Sequence, residues 1–207
     1  MEYNPGKREI ILDRKLSKLD RFVIDFIKAL EKHVNYVIIS GYVSIILGRT
    51  RVTEDIDIFI ENIPKKRFLE MYKELKKAGF WCLNTESADE MYDFLDNKMA
   101  IRFSRKGASV PNFEVKFPKD KTDEATFQDF ITIMLPNNVK LKISSLERHI
   151  AFKKYYLGSD KDVEDALHIE RLFKEGINHD KINKLKELIK MKKNEEKKNF
   201  FKTGQKQ

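Results

Sequence analysis

Two aspartates one residue apart, Asp55 and Asp57, begin an otherwise apolar run, DIDIFI, at positions 55–60. In a β-strand, side chains at positions i and i+2 lie on the same face. These carboxylates should therefore project together, while Ile56, Ile58 and Ile60 face a core. Carboxylates on one face can bind one or two divalent cations, and Mg²⁺ usually takes one or two of them together with water and substrate phosphates. The alternative is a solvent-exposed strand end at which Asp55 caps a turn.

A turn of small residues, Ser40-Gly41, precedes the aspartates. It follows a predicted strand, YVIIS (36–40), and begins a predicted short helix, GYVSIILG (41–48). Free backbone N–H groups and the helix dipole favour a phosphate at such a position, and glycine lets a ligand approach the backbone closely. If the next strand returns beside the first, the carboxylates lie near this turn. A phosphate site beside a metal-binding carboxylate pair suits phosphoryl or nucleotidyl transfer.

The segment IISGYVSIILGRTRVTEDIDIFI resembles the signature of the polymerase-β-type nucleotidyltransferase superfamily, in which a Gly-Gly or Gly-Ser turn and a spacer precede Asp-apolar-Asp-apolar. Ser40 stands where the first glycine is usual. The pattern is most similar to small prokaryotic nucleotidyltransferases, the minimal and AbiEii-like group that includes toxin-type members. The resemblance implies an α/β (α+β) fold with a mixed β-sheet and flanking helices, a nucleoside triphosphate substrate, and Mg²⁺ (or Mn²⁺) as cofactor. It also implies that Asp55 and Asp57 are catalytic metal ligands, and that Ser40 and Gly41 bind the nucleotide.

The same superfamily usually adds a third carboxylate from a later strand. In the predicted strand NFEVKF (112–117), the apolar side chains alternate with Glu114 and Lys116, so these two share the opposite face. Glu114 is the candidate third catalytic carboxylate and metal ligand, at a place where most relatives have aspartate. Lys116 is the candidate contact to a phosphate. The alternative is an ordinary amphipathic edge strand with both side chains in solvent.

A second resemblance lies in ERHIAFKKYYLGSDKDVEDALHI, residues 147–169. Toxin-like and related members carry a helix lysine, a short turn and a KDxxD helix start, which Lys153, Lys161, Asp162 and Asp165 match. The resemblance implies that Lys153 or Lys161 contacts a triphosphate or acceptor and that Asp165 orients it. The alternative is that Asp162 and Asp165 are cap and surface residues that stabilise the turn between the two helices.

The elements that must position these residues alternate between strand and helix patterns. Apolar spacing predicts a first helix over 13–33, and Pro64 predicts the start of another over 64–78. We expect the strands YVIIS, DIDIFI and NFEVKF to be adjacent in one sheet, with those two helices on one face. Further predicted elements are strands 80–83 and 99–105, a helix over 88–95 capped by Ser87, and a hairpin of 131–135 with 139–143.

The character of the sequence changes near residue 144. Ser144 and Glu147 form a capping-box pattern that predicts a helix to about Leu157, Ser159 predicts the cap of a second, and a third should begin near Asp180. We therefore divide the chain into an α/β domain (1–143), a helical part (144–190) and a basic tail (191–207) that we expect to be disordered.

Composition limits the partners and the compartment. The 207 residues carry a net charge of +8, which favours anionic partners such as nucleotides or RNA. The lone cysteine excludes an internal disulfide and suits a reducing compartment. The N-terminus lacks the apolar core of a signal peptide, and no apolar run is long enough to span a bilayer. We therefore expect a cytoplasmic protein with no membrane partner.

Two classes of function follow. The first is an enzyme that moves a nucleoside monophosphate from a triphosphate to a hydroxyl of RNA or tRNA, a protein or a small molecule. The second is a catalytically silent nucleotidyltransferase-fold protein that binds a protein partner, for example in a toxin–antitoxin pair. A nucleic-acid-binding module that uses the basic C-terminal helix is a third reading.

Without metal the two carboxylates should repel each other, so we expect Asp57→Asn to leave stability equal or slightly higher.

Overall fold

Nine strands form one mixed sheet in the part of the chain that the structure describes. The structure is a computed structural model that describes the backbone of residues 1–204 and the side chains of residues 1–195. The strands are β1 (Glu2–Asn4), β2 (Glu9–Ile11), β3 (Tyr36–Ile39), β4 (Asp55–Ile60), β5 (Phe80–Cys82), β6 (Ile101–Arg105), β7 (Asn112–Lys116), β8 (Phe130–Leu135) and β9 (Val139–Ser144). Their order across the sheet is β1-β2-β8-β9-β3-β4-β7-β6-β5.

The strand that begins with the paired aspartates, β4, lies inside the sheet between β3 and β7. It runs antiparallel to β3 and parallel to β7. Ile56, Ile58 and Ile60 are fully buried, whereas Asp55 is exposed and Asp57 is partly exposed. The predicted alternation of β4 and the predicted adjacency of the three strands are therefore confirmed, as is the α/β fold with a mixed sheet.

Helices pack on the apolar face of this sheet. In residues 1–144 they are α1 (Lys18–Leu30), α2 (Gly41–Ile46), α3 (Lys65–Lys77), α4 (Ala88–Asp96) and α5 (Lys121–Glu124). The ring of Phe26 in α1 stacks on that of Phe113 in β7 with centroids 3.8 Å apart. Helix α1 begins later than predicted because Ser17 and Asp20 form a reciprocal capping box that fixes its first turn.

Three short elements were not predicted: β1, β2 and α5. Strand β2 pairs in parallel with β8, more than one hundred residues away, through the register Ile10↔Ile133. Strands β1 and β2 have only three residues each, so their sequences are too short to show the alternation of a strand. The non-local pairing, rather than local propensity, makes these residues a strand.

Chain contacts divide the protein into two compact units, Met1–Ser144 and Ser145–Gln207. The second contains α6 (Leu146–Ala151), a π-helical continuation (Phe152–Leu157), α7 (Asp160–Leu172) and α8 (His179–Gly204). The serine predicted to cap α6 was wrong by one residue. Ser144 ends β9 opposite Phe130, and Ser145 instead accepts the hydrogen bond from the Arg148 backbone N–H.

The helix assignment of α8 continues to Gly204, although we expected a tail from residue 191. The side chains of residues 196–207, and the whole of residues 205–207, lie outside the described part of the chain, so tail disorder stays a prediction. Among the described helices, none combines the length and the apolar character that a bilayer crossing requires.

Candidate active site

The carboxylates of β4 face polar residues of β7 across a parallel pairing. Asp55 is opposite Asn112, and Asp57 is opposite Glu114. Asp57 and Glu114 side chains are each about one fifth exposed, at 18% and 22%. The register therefore brings the three predicted catalytic carboxylates to one face of two neighbouring strands.

Lys116 lies between two of these carboxylates. Its Nζ donates to Oδ1 of Asp57 at 2.8 Å and is 3.6 Å from Oε2 of Glu114. Burial by itself would lower the pKa of Lys116, but the two adjacent carboxylates outweigh it and raise the pKa. The ammonium also lies 5.9 Å from the ring centroid of Phe59, its register partner in β4. Lys116 is thus a fixed charge inside the carboxylate group, not a side chain extended into solvent.

The other oxygen of Glu114 pairs with an arginine that the sequence analysis did not select. Arg102 is opposite Glu114 in the antiparallel β6–β7 pairing, and its Nη2 donates to Oε1 of Glu114 at 2.9 Å. Both oxygens of Glu114 therefore contact protein cations. Arg102 looks like any surface arginine in the sequence, because only the strand register places it opposite Glu114.

Asp55 is held by a buried amide that was also missed. Asn112 is 6% exposed, and its Nδ2 donates to Oδ1 of Asp55 at 2.8 Å. Its backbone N–H donates to the Glu54 carbonyl at 2.8 Å. The Oδ1 of Asn112 is buried with no hydrogen-bond partner. A buried amide oxygen without a hydrogen-bond partner lowers the stability of the fold. The contribution of Asn112 at this position is therefore the hydrogen bond that fixes the Asp55 carboxylate.

The predicted phosphate turn has an unusual backbone. Ser40 adopts φ 60° and ψ −137°, a conformation that glycine adopts easily and other residues adopt with strain. Glycine is also the residue that the resembled signature has at this position. An added Cβ at Gly41 would lie 2.6 Å from Nη2 of Arg51. The guanidinium of Arg51 therefore packs against the first turn of α2 and adds positive charge there.

A buried polar group anchors this turn to α1. The Tyr42 hydroxyl donates to Oδ1 of Asp20 at 2.8 Å, and the Arg14 guanidinium pairs with both Asp20 oxygens at 2.7 and 3.0 Å. Burial opposes ionisation of Asp20, but the hydrogen bonds from Arg14, Ser17 and Tyr42 outweigh it and lower the pKa to about 2. Burial raises the pKa of Tyr42, and the nearby Asp20 carboxylate raises it further. The ionised Asp20 of α1 thus holds the start of α2 through the Tyr42 hydroxyl, in addition to the packing of α2 against β4.

The donor set fits one divalent ion better than several. In the described residues, no group of three or more His, Cys, Asp or Glu side chains is arranged to hold a metal ion. Glu114 is engaged by Arg102 and Lys116, as described above. The contacts of Asp55 and Asp57 with Asn112 and Lys116 involve only Oδ1 of each. The Oδ2 atoms of Asp55 and Asp57 are therefore the oxygens that could bind a metal ion. Two carboxylate ligands agree with the one or two carboxylates by which proteins usually hold Mg²⁺.

A polar cavity of about 400 Å³ lies beside Asp55. This volume is within the range of small-molecule sites, roughly 300–1,000 Å³. Its walls carry both hydrogen-bond donors and acceptors, so it suits a polar ligand. The lining residues are Glu54, Asp55, Leu83, Asn84, Arg102, Ser109 and Asn112.

The predicted residues of the second unit form a separate cluster. Lys153, in the π-helical segment, is 3% exposed, and its Nζ lies 2.5 Å from Oδ1 of Asp162 and 3.1 Å from Oδ2 of the fully buried Asp165. Burial opposes ionisation of Asp162, but hydrogen bonds from Lys153 and Ser159 outweigh it and keep its pKa below the usual value. Lys161 is exposed on the first turn of α7. The contacts of Asp162 with Ser159 fit the capping alternative, whereas the burial of Asp165 does not fit a surface residue. The nucleotide-binding roles of Lys153, Lys161 and Asp165 stay predictions.

Comparison with solved structures identifies the fold. A solution structure of the antibiotic-resistance factor ANT(2'')-Ia is similar over 89% of this chain and 99% of its own length, with 15% identity and a TM-score of 0.54. A crystal structure of ANT(2'')-Ia in complex with adenylyl-2''-tobramycin matches over 85% and 99%, with 16% identity and a TM-score of 0.54. The chain has a nucleotidyltransferase-like fold.

A third structure with a nucleotidyltransferase-like fold is less similar. It is an antigenic nucleotidyltransferase-like protein from Paracoccidioides brasiliensis, which matches over 76% of this chain and 78% of its own with 19% identity and a TM-score of 0.48. No family model matches the sequence, and no curated protein matches it significantly. The likeness to the two ANT(2'')-Ia structures is therefore a likeness of fold.

Proposed function

We propose that the protein is a divalent-metal-dependent nucleotidyltransferase that moves a nucleoside monophosphate from a nucleoside triphosphate to a hydroxyl acceptor. One observation carries the proposal. Asp55 and Asp57 project from one face of β4 beside Glu114, within a nucleotidyltransferase-like fold. Three carboxylates on one face of two adjacent strands repel one another unless cations compensate them, and a divalent ion held by Asp55 and Asp57 would add to the compensation that Lys116 and Arg102 already give.

In this proposal, Asp55 and Asp57 would hold Mg²⁺ or Mn²⁺. An ion bound there supplies charge stabilisation for the attacking and leaving oxygens of phosphoryl transfer. Asn112 fixes the Asp55 carboxylate by its hydrogen bond, and the Ser40-Gly41 turn with Arg51 presents N–H groups and positive charge to the triphosphate. Lys116 and Arg102 limit the net negative charge that an incoming triphosphate meets.

The cavity beside Asp55 supports a small polar molecule as the hydroxyl acceptor. Its walls include the carboxylates of Glu54 and Asp55 and the amides of Asn84 and Asn112, which can accept hydrogen bonds from hydroxyl or ammonium groups. Arg102 lines the same cavity and adds a hydrogen-bond donor, so the cavity suits a polar molecule that both donates and accepts hydrogen bonds. An RNA or tRNA end, or a protein hydroxyl, would have to enter the same cavity.

The direct test is a transfer assay with each labelled nucleoside triphosphate. Purified protein and Mg²⁺ are incubated with total RNA, a protein extract or a small-molecule extract, and both labelled product and released pyrophosphate are measured. We expect pyrophosphate release with at least one triphosphate, and label in the small-molecule fraction. Absence of release with all four triphosphates and all three acceptor fractions would contradict the proposal.

Asp57→Asn tests the carboxylate itself. The substitution should reduce transfer at least roughly 100-fold, because it removes a charged ligand with little change in shape. Asp96→Asn, at an exposed position of α4, is the matched control and should keep full activity. Mg²⁺ with triphosphate should raise the melting temperature of the parent and the control but not of Asp57→Asn, since only ligand binding to the native state stabilises it.

The contact with Lys116 changes the expected stability of that variant. In Asp57→Asn the amide oxygen can still accept from Lys116, but without charge assistance, so we expect a loss of about 1 kcal/mol in chelator. The sequence alone led us to expect no loss. An unchanged free energy of unfolding would show that the Asp57–Lys116 contact is energetically negligible.

A second candidate is a catalytically silent protein of the same fold that binds a protein partner. The observation that favours it is the internal pairing of Asp57 and Glu114 with Lys116, which compensates the carboxylates without any ligand. In this second candidate, the protein is a member of the small prokaryotic, AbiEii-like group and acts in a toxin–antitoxin pair. It predicts no melting-temperature shift with any triphosphate and metal, and Asp57→Asn would then affect stability alone.

A further inference from the structure

We propose that Lys116 takes the place of a second divalent ion, so that the centre binds a single ion through Asp55 and Asp57. This inference rests on the proposed function and specifies it further. Two-ion phosphoryl-transfer sites place their ions about 4 Å apart, with carboxylates bridging or flanking them. A second ion would need Glu114 as a ligand in addition to Asp57, and Lys116 Nζ already lies close to both carboxylates.

The contacts of Lys116 match those that a bridging cation would make. Its Nζ lies 2.8 Å from Oδ1 of Asp57, 3.6 Å from Oε2 of Glu114 and 5.9 Å from the centroid of the Phe59 ring. The backbone of Lys116 is fixed at the end of β7, opposite Phe59 in β4. The ammonium is therefore held by two charges, an aromatic ring and a sheet position.

The remaining oxygen of Glu114 is also occupied, which removes the alternative ligand geometry. Arg102 Nη2 lies 2.9 Å from Oε1 of Glu114, on the strand opposite. An ion ligated by Glu114 would lie within a few ångströms of two protein cations, and the like charges would repel strongly at that distance. Glu114 thus serves to position Lys116 and Arg102, and the metal ligands are the two aspartates.

The internal cations leave little charge to compensate before a metal ion binds. Asp55, Asp57 and Glu114 carry three negative charges, and Lys116 and Arg102 carry two positive charges, so these five side chains have a net charge of −1. One divalent ion brings them to +1.

The test counts bound Mn²⁺ by electron paramagnetic resonance and isothermal titration. Full-length protein is titrated with Mn²⁺ in the presence of a non-hydrolysable triphosphate analogue of each of the four bases. We expect one Mn²⁺ per chain in the complex, counting the ion that the analogue brings with it. Lys116→Met should bind one more than the parent, because Asp57 and Glu114 then lack their internal cation. Lys119→Met, which removes the same charge from an exposed position nearby, should keep the parent number.

A second variant keeps the inference testable if Lys116→Met does not fold. Glu114→Gln should change the Kd for Mn²⁺ by no more than about threefold, whereas Asp57→Asn should weaken it more than tenfold. A larger loss of affinity in Glu114→Gln would make Glu114 a ligand and overturn the inference.

The outcomes separate this inference from the proposed function. Two protein-bound Mn²⁺ in the parent, or an unchanged number in folded Lys116→Met, would overturn the single-ion inference and leave the transferase proposal standing. No bound Mn²⁺ with any of the four analogues would overturn both.

Discussion

Single residues at this centre are held by contacts that their own positions in the sequence do not show. Asn112 fixes Asp55, Lys116 joins Asp57 to Glu114, and Arg102 occupies the far oxygen of Glu114. Each of these polar side chains lies on the face of the sheet opposite the isoleucine core. The face therefore combines fixed carboxylates with fixed cations, an arrangement on which the proposed transfer would depend.

Ser40 provides a prediction at the residue scale. Its positive φ is strained for serine, so Ser40→Gly should raise the free energy of unfolding by about 1 kcal/mol after the entropy cost of glycine in the unfolded chain. Ser109→Gly is the matched control, since Ser109 is an exposed loop residue without positive φ, and it should lose a few tenths. Urea denaturation of both variants measures the difference. An equal loss in the two would mean that Ser40 is not strained.

At the scale of elements, a buried hydrogen bond to an ionised carboxylate joins α1 to α2. The Asp20 carboxylate is ionised and buried between Arg14, Ser17 and Tyr42. Because Tyr42 directly follows Gly41, this group fixes the start of α2 and hence the predicted phosphate turn. The position of the turn depends on a contact between two helices rather than on the turn itself.

The pH dependence of stability follows from the same carboxylate. The pKa of Asp20 is about 2 in the folded protein, against an ordinary value of 3.8. The stabilisation by ionised Asp20 is therefore complete above about pH 4 and is lost as the pH falls through 2, and it amounts to something on the order of 2 kcal/mol. Asp20→Asn should remove this part of the decrease in the free energy of unfolding at low pH. Parallel denaturation curves at pH 2, 3, 4 and 6 measure it, and an identical pH profile in parent and variant would contradict the assignment.

The second unit has its own element-scale prediction. Lys153 neutralises Asp162 and Asp165 within the helices of that unit. Lys153→Met should destabilise it by about 3 kcal/mol, because it leaves buried carboxylates without their cation. Lys161→Met, on the exposed first turn of α7, should cost less than about 0.5 kcal/mol. Circular dichroism during urea denaturation distinguishes them, and a stable Lys153→Met that fails to bind triphosphate would favour the nucleotide-contact reading.

At the scale of the whole molecule, each candidate cluster lies within one compact unit. The carboxylates and Lys116 belong to Met1–Ser144, and the lysine–aspartate cluster belongs to Ser145–Gln207. The excess positive charge of the chain is concentrated in lysines toward its C-terminal end, four of which lie in residues 196–207. Charge of this kind changes association with anionic partners more than it changes the fold.

Removal of residues 196–207 tests the role of that charge. We expect an unchanged melting temperature, because the described apolar core ends at Ile189. If RNA is the acceptor, its affinity should fall and its salt dependence should flatten, by roughly 0.7 in log–log slope for each lost phosphate contact. Replacing the four lysines with glutamine, at constant length, is the control that isolates charge. An unchanged RNA affinity in both would show that these lysines only interact with solvent.

The sequence by itself determined the elements of the first unit that carry a clear local signal. The alternation in DIDIFI predicted which side chains of β4 are buried, and Pro64 and Ser87 predicted helix starts to within one residue. These features depend on contacts between residues close in the chain, where period and capping are visible. The acidic pair, and the likeness to a nucleotidyltransferase signature, were visible for the same reason.

The tertiary structure alone decided how the centre is assembled. Strand pairing joins Asp55 to Asn112 and Glu114 to Arg102 across gaps of 57 and 12 residues, and a one-residue slip would have turned each polar side chain into the core. The short strands β1 and β2 exist because β8 pairs with β2. Lys116, predicted from the sequence as a phosphate contact, lies against Asp57 and Glu114 because the β4–β7 register places Asp57 opposite Glu114. Register is set by the packing of the whole sheet, so no local pattern contains it.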